Sequence, residues 1–387
     1  MIPSKHRACV LPRILSLIFV SALSCGLFIG GLACIQVPPL PAVRAWHELG
    51  AAETAIEDDE RTLWRQAQKV RKELEDGEHF FADENLSTYL NGVLRGLLHY
   101  PLPAEAPVPA VYVLRATDQI AWTFADGLIL FSTSQLARLQ NEAQLASLLG
   151  HELAHFLARH SLIKKRFSKL SSSTVERMDV SRDQEIFSDR LGLDLMREAG
   201  YDPREALRML ILIERDNVNS SGSVRAWRSH PFVPERIKAL RGEIAHEVDA
   251  DARVGEARYS EAIADLLLAS AEIELSDGLL DRADSSIMRH LQLRPESGRG
   301  YYVQAEITRR TMPDGGQSGE VRLAYERALE FAPDDPDVLR ALGLLYHKSG
   351  DASRSTEMFT NYLHVTPDAV DRKIIERYLE RDREAAR

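Results

Sequence analysis

The stretch that decides the fold runs from Glu142 to His160 and reads EAQLASLLGHELAHFLARH. Leu145, Leu148, Leu149, Leu153, Phe156 and Leu157 recur at helical spacing, which predicts one helix over the whole stretch. Within it His151-Glu152-Leu153-Ala154-His155 forms an H-E-x-x-H. One helical turn separates the two histidines, so both imidazoles leave the same face and can reach one metal ion. Glu152 lies beside that face, where its carboxylate can take a proton from a water. Two imidazoles do not complete such a site. At least one further ligand is needed, and in catalytic sites it is often a carboxylate.

Downstream, DQEIFSDRLGLDLMREAG (183–200) is again periodic like a helix. It carries Glu185 and Asp189, four apart and therefore on one face, and Glu185 is the candidate third ligand. Residues 161–182 are polar, with three serines at 171–173, and suit a surface helix or a flap. Asp202 is placed to cap a helix starting at Pro203. A loop-like stretch at 216–228 leads to Ser229-His230-Pro231 and a further helix from Pro234.

Upstream, VYVL (111–114), 119–124 and GLILFS (127–132) read as strands, the last two turning at Ala125-Asp126-Gly127. A small sheet directly before the H-E-x-x-H helix offers an edge on which an extended peptide can pair by backbone hydrogen bonds. Two helices are expected between His47 and His99, broken near Asp76-Gly77.

The 387 residues allow two or three domains, and 44% apolar residues suffice for real cores. A net charge of -10 argues against nucleic acid as a main partner. The basic run Lys164-Lys165-Arg166 reads as solvated surface. Cys9, Cys25 and Cys34 are the cysteines, so the body holds no thiol and is neither a cysteine hydrolase nor a zinc–thiolate protein. Lys5, Arg7 and Arg13 precede the uncharged run 14–35, the pattern of an export signal or of a membrane anchor, for which about 20 apolar residues suffice. Cys25 and Cys34 each end a small-residue run that loosely resembles a lipobox. Either form places the body outside the cytoplasm, on the periplasmic side of a bacterial envelope.

Beyond Tyr259 the chain turns to repeated helices. The stretch from Pro336 to Pro367 carries Leu342-Gly343, Tyr346, Gly350 and Phe359, and earlier units end at Pro295 and Pro333. This order resembles a tetratricopeptide (TPR) repeat, with a last helix at 370–384 covering the final unit. The expected organisation is a signal or anchor at 1–35, a linker and N-terminal helix at 36–82, a domain built round the H-E-x-x-H at 83–250 and TPR-like repeats at 259–387. The fold class is α+β and mostly α.

With its H-E-x-x-H, the segment Glu185-Ile186-Phe187-Ser188-Asp189, Tyr201-Asp202-Pro203, Ser229-His230-Pro231 and Arg236, the chain resembles the gluzincin metalloproteases of the HtpX and BepA type, related to the CAAX prenyl proteases. In that family the third ligand opens an E-x-x-x-D motif. The TPR-like tail makes the BepA-like group, which acts in outer-membrane quality control, the nearest match. Two features depart from it. Relatives carry N-A-x-x-x-P-G-G where this chain has Ile120-Ala121-Trp122-Thr123-Phe124-Ala125-Asp126-Gly127, and the insert between His155 and Glu185 is short.

The resemblance implies one zinc ion held by His151, His155 and Glu185, with Glu152 as general base. Asp189 is placed to take a hydrogen bond from a ligand histidine, a salt bridge on the helix surface being the alternative. His230 would stabilise the oxyanion or fill the fourth zinc position at rest. Arg236 would order the site or remain an ordinary surface arginine, and His160 is read as structural. The expected function is a zinc-dependent endopeptidase acting on misfolded or envelope proteins, anchored to the membrane by its N-terminus and recruiting a protein partner through the repeats. The alternative is a chaperone-like scaffold with latent peptidase activity. A prenyl-protein processing enzyme is disfavoured, since only residues 14–35 could span a membrane.

Overall fold

The computed structural model describes residues 43–48, 56–170, 174–219, 230, 232–245, 251–312 and 319–385. The signal or anchor at 1–35 with its cysteines, the serines at 171–173, most of the loop at 216–228 and the loop at 313–316 lie outside the described residues. Among the described residues no helix is long and apolar enough to cross a membrane.

Two amphipathic helices open the body, α1 (Asp58–Asp76) and α2 (Glu84–Leu97). The side chain of Asp83 starts α2 by accepting the backbone N–H of Leu86. Strands β1 (Ala110–Leu114), β2 (Ala121–Thr123) and β3 (Leu128–Ser132) follow and form one sheet in the order β1-β3-β2. β3 is buried along its whole length, as a central strand should be. β1 runs parallel to it, and β2 pairs antiparallel through the expected Asp126-Gly127 turn, leaving the outer side of β2 as a sheet edge. Gly127 has φ +79°, and a Cβ there would lie 2.9 Å from the Cα of Pro109, so the turn admits only glycine.

A short helix α3 (Thr133–Arg138) leads into α4 (Glu142–Leu157), the predicted central helix. Asn141 caps it by accepting the N–H of Gln144 at 2.8 Å. Every residue of α4 is buried. Each fully buried leucine along it contributes about 1.5–3 kcal/mol of transfer free energy. The helix is shorter than expected. It stops at Leu157 because Arg159 adopts φ +55° and turns the chain. The physical reason is the fate of the Arg159 guanidinium. It is buried, donates to Glu60 of α1 and to the carbonyl of Arg44, and stacks 4.3 Å over the ring of Trp46. The chain restarts as α5 (His160–Leu170) and then as the long α6 (Thr174–Glu198), which begins well before the predicted 183.

α4 and α6 cross at Gly150 and Gly192. A Cβ on Gly192 would stand 2.9 Å from the carbonyl carbon of Gly150 and 2.9 Å from the backbone N of His151. The two backbones therefore touch. α7 (Arg204–Asn219) and α8 (Val233–Glu243) close one core with α2 and α4. Asp202 accepts the N–H of Arg204 at the start of α7, in the capping place assigned to it.

After the short α9 (Glu256–Ala262) come three helical hairpins and a final helix. The hairpins are α10 (Ala264–Ser276) with α11 (Leu280–Leu293), α12 (Gly298–Thr311) with α13 (Gly319–Phe331), and α14 (Pro336–Ser349) with α15 (Ala352–Val365). The last helix, α16 (Arg372–Ala385), packs on α15. The first hairpin is fastened to the sheet side by a buried carboxylate. Glu274 accepts hydrogen bonds from Ser134 at 2.9 Å, Arg138 at 3.0 Å and Ser286 at 2.9 Å. Three donors meet the desolvation cost of that charge.

Replacing Gly192 by alanine should force α4 and α6 apart and cost on the order of 1–3 kcal/mol, the usual range for overpacking. Urea unfolding of Gly192→Ala beside the parent protein measures it, and an unchanged midpoint would contradict the crossing.

Candidate metal centre

The α4–α6 crossing sets the site. His151 and His155 leave α4 one turn apart, and Glu185 and Asp189 leave α6 one turn apart and face them. His151 Nε2 lies 3.1 Å from His155 Nε2 and 3.3 Å from Glu185 Oε2, and His155 Nε2 lies 3.5 Å from Glu185 Oε1. His230, just ahead of α8, enters the same cluster with Nδ1 3.2 Å from His151 Nε2 and 3.0 Å from Glu185 Oε2. Phe232 at φ +67° provides the reversal between His230 and the helix. One donor atom from each of these four buried residues falls within 4.8 Å of the others.

Surrounding groups fix which nitrogens face inward. His151 donates Nδ1–H to Asp189 Oδ1 at 2.9 Å, which leaves a bare Nε2 toward the cluster. Asp189 is gripped bidentately by Arg236, at 2.7 Å from Nε and 2.7 Å from Nη2. Arg236 is fully buried, so the surface-arginine alternative fails, and so does a surface salt bridge for Asp189. His155 donates Nδ1–H to His160 Nδ1 at 2.8 Å, again leaving Nε2 inward. His160 therefore belongs to the centre, which corrects its structural reading. That reading carried one helix through residue 160 and put its ring on the far side, whereas the turn at Arg159 swings it back against His155.

Glu152 faces the cluster from beside the histidines and is fully buried. Its Oε2 accepts the hydroxyl of Thr123 at 2.6 Å, and its Oε1 lies 3.2 Å from His230 Nε2. His230 Nε2 also donates to the carbonyl of Ala121 at 3.0 Å. β2 thus supplies two polar contacts to the site. Neither followed from motif spacing, although Ala121 and Thr123, two apart on a strand, necessarily share a face.

The electrostatics call for positive charge. Burial favours the neutral form of Glu152, Glu185 and Asp189, yet all three are held below the ordinary carboxylate range. His230 does this first for Glu152 and Glu185, and Arg236 for Asp189. One guanidinium faces three carboxylates. Protons make up the deficit: burial opposes charge on His230, but Glu185 and Glu152 push its pKa up to about 10. His151 is also raised against burial and Arg236, by Asp189 and Glu185. Burial drives the pKa of His155 well down, which favours its neutral imidazole.

These residues fit a divalent cation. The donor spacings of 3.0–3.5 Å match the edge of about 3.3 Å expected for a tetrahedron of ligands about 2.0–2.1 Å from zinc. Glu185 Oε1 is buried without a hydrogen-bond partner. The two negative charges left by one arginine against three carboxylates equal what such an ion carries. Two imidazoles and a carboxylate are a donor set that zinc accepts.

A helix bearing H-E-x-x-H, crossed by a second helix that brings the Glu185 carboxylate to within 3.5 Å of both histidines, fits a metallopeptidase type of centre. Residues 90–175 and 167–244 match the model of peptidase family M48. A mitochondrial metalloendopeptidase OMA1 of Arabidopsis thaliana is 28% identical over 139 residues, covering 31% of this chain and 28% of the relative. The protein of the same name in Schizosaccharomyces pombe is 25% identical over 151 residues, covering 34% of this chain and 45% of the relative. The chain therefore spans less than half the length of either.

Removing the acceptor behind His155 tests the place of His160. His160→Ala should weaken zinc binding about 10–100-fold, read by competition with a chelating dye. The same residue has a pH signature. Burial first, then Lys164, lower its pKa to about 3, against about 6.5 unfolded. The unfolded chain then takes up a proton that the folded one refuses, so stability of the metal-free protein falls as pH drops from about 6.5 toward 3. His160→Ala should flatten that slope in urea titrations, and wild-type affinity with an unchanged slope would refute the assignment.

Proposed function

We propose that this protein is a zinc-dependent endopeptidase. The observation that carries the reading is the buried convergence of His151, His155, Glu185 and His230 beside the carboxylate of Glu152. His151, His155 and Glu185 would hold the ion, with Asp189 and Arg236 setting the ring of His151 and His160 setting that of His155. The zinc would supply Lewis acidity to water and to the scissile carbonyl. Glu152 takes the proton from the attacking water and returns it to the leaving amine. β2, an edge strand next to Glu152, supports an extended polypeptide as substrate, since its outer edge can pair with a main chain.

Within the M48 type, the reading closest to this chain is BepA-like. The helical hairpins after Glu256 are TPR-like and recruit a protein partner. The basic start and the apolar run 14–35 support an exported body tethered to a membrane. Misfolded or envelope proteins on the periplasmic side are the substrate class this reading assigns.

His230 favours a second reading, a chaperone-like scaffold whose peptidase is latent. Its Nε2–H is committed to the Ala121 carbonyl, so the neutral ring offers Nδ1 as a fourth donor. Were His230 to hold the ion through Nδ1, it would compete there with a substrate carbonyl or a water.

Glu152→Gln should abolish cleavage of a casein-like unfolded protein, a loss of at least about 100-fold, while zinc content stays near one per chain. Chelation should do the same and added zinc should restore activity. Residual cleavage by Glu152→Gln would sink the assigned role. A zinc-loaded parent protein that cleaves nothing until His230 is replaced would favour the latent scaffold.

A further inference from the structure

We propose that Thr123 is a positioning residue for the general base, a role that rests on reading Glu152 as that base. The hydroxyl of Thr123 donates to Glu152 Oε2 at 2.6 Å. A hydrogen bond this short from a hydroxyl to an ionised carboxylate is of the charge-assisted kind, about twice as strong as a neutral pair. It commits Oε2. The other oxygen, Oε1, lies 3.2 Å from His230 Nε2 and sits at the cluster. The terminal torsion of a glutamate is broad and roughly two-fold, so nothing in the side chain itself distinguishes its two oxygens. Thr123 does: it leaves Oε1 as the oxygen that receives the proton.

The hydroxyl is held by the sheet. Thr123 pairs with Ile129 and Ala121 with Phe131, both on the buried strand β3. Alternation puts Thr123 and Ala121 on the face toward α4, while Trp122 packs on the opposite side with Leu114, Leu128 and Leu130. The strand that anchors the base also carries the Ala121 carbonyl that anchors His230, and it forms the free edge of the sheet. Movement of β2 is therefore transmitted to the base and to the fourth donor together.

The test uses the full chain loaded with zinc, in wild-type, Thr123→Val and Thr123→Ser forms, with an unfolded fluorogenic casein as substrate. Valine keeps the shape and removes the donor, while serine keeps the donor. Thr123→Val should lose about 10–100-fold in kcat with KM within about two-fold of the parent, and Thr123→Ser should recover most of it. Zinc content should be equal in all three. Crystal structures of the parent and of Thr123→Val give a readout independent of turnover: the Glu152 carboxylate should rotate off its parent position in the valine form. Wild-type kcat in Thr123→Val, or serine failing as badly as valine, would overturn the proposal. If the parent protein proves inactive, the peptidase reading fails separately and the crystal comparison decides, an unmoved Glu152 refuting Thr123.

Discussion

The centre depends on a contact between two backbones. His151 and His155 come from one helix and Glu185 and Asp189 from another, and their donor atoms meet near 3 Å only if the helices lie closer than side chains allow. Gly150 and Gly192 remove the obstruction. Gly192 stands three residues after Asp189 and seven after Glu185, on the same face, so the crossing sets the acidic row of α6 against the histidine row of α4. Each glycine inside a helix costs about 1 kcal/mol relative to alanine. The burial of α4 on every side offsets that cost.

Burial makes charge the second constraint. Glu152 and Glu185 are buried, and the Asp189 side chain is only 7% exposed, together with one buried arginine, a balance that would be unfavourable without further cations. The raised His230 shows the protein meeting part of the deficit with a proton, and a divalent ion would meet all of it with one particle. His230 is the hinge between the two states. As an imidazolium it neutralises Glu185 and Glu152, and as a neutral ring it presents a lone pair. Its attachment to Ala121 links that choice to the strand edge where a peptide would dock.

Much of this was legible in the sequence. The H-E-x-x-H spacing, the E-x-x-x-D segment and the leucine periodicity located α4, α6 and their facing residues, because helical phase is fixed by residue count. The Asp126-Gly127 turn and the recurring prolines at 295, 333 and 367 located the β2–β3 hairpin and the helical hairpins for the same kind of local reason. What escaped depended on tertiary context. The end of α4 at Leu157 follows from the burial of Arg159 against Glu60 and Trp46, partners about a hundred residues upstream. That turn alone converts His160 from a bystander into the partner of His155. Arg236 is reached only through the family resemblance, with a surface arginine as its alternative, and Thr123 is one threonine among many until β2 is laid against α4. The parallel pairing of β1 with β3 also carries no local signature.

The most direct test of the account is anomalous X-ray diffraction across the zinc absorption edge from crystals of the full chain. The account predicts one peak per chain, about 2.0–2.2 Å from His151 Nε2, His155 Nε2 and a Glu185 oxygen. A chain that takes up no zinc, or a peak placed away from these three residues, would contradict it.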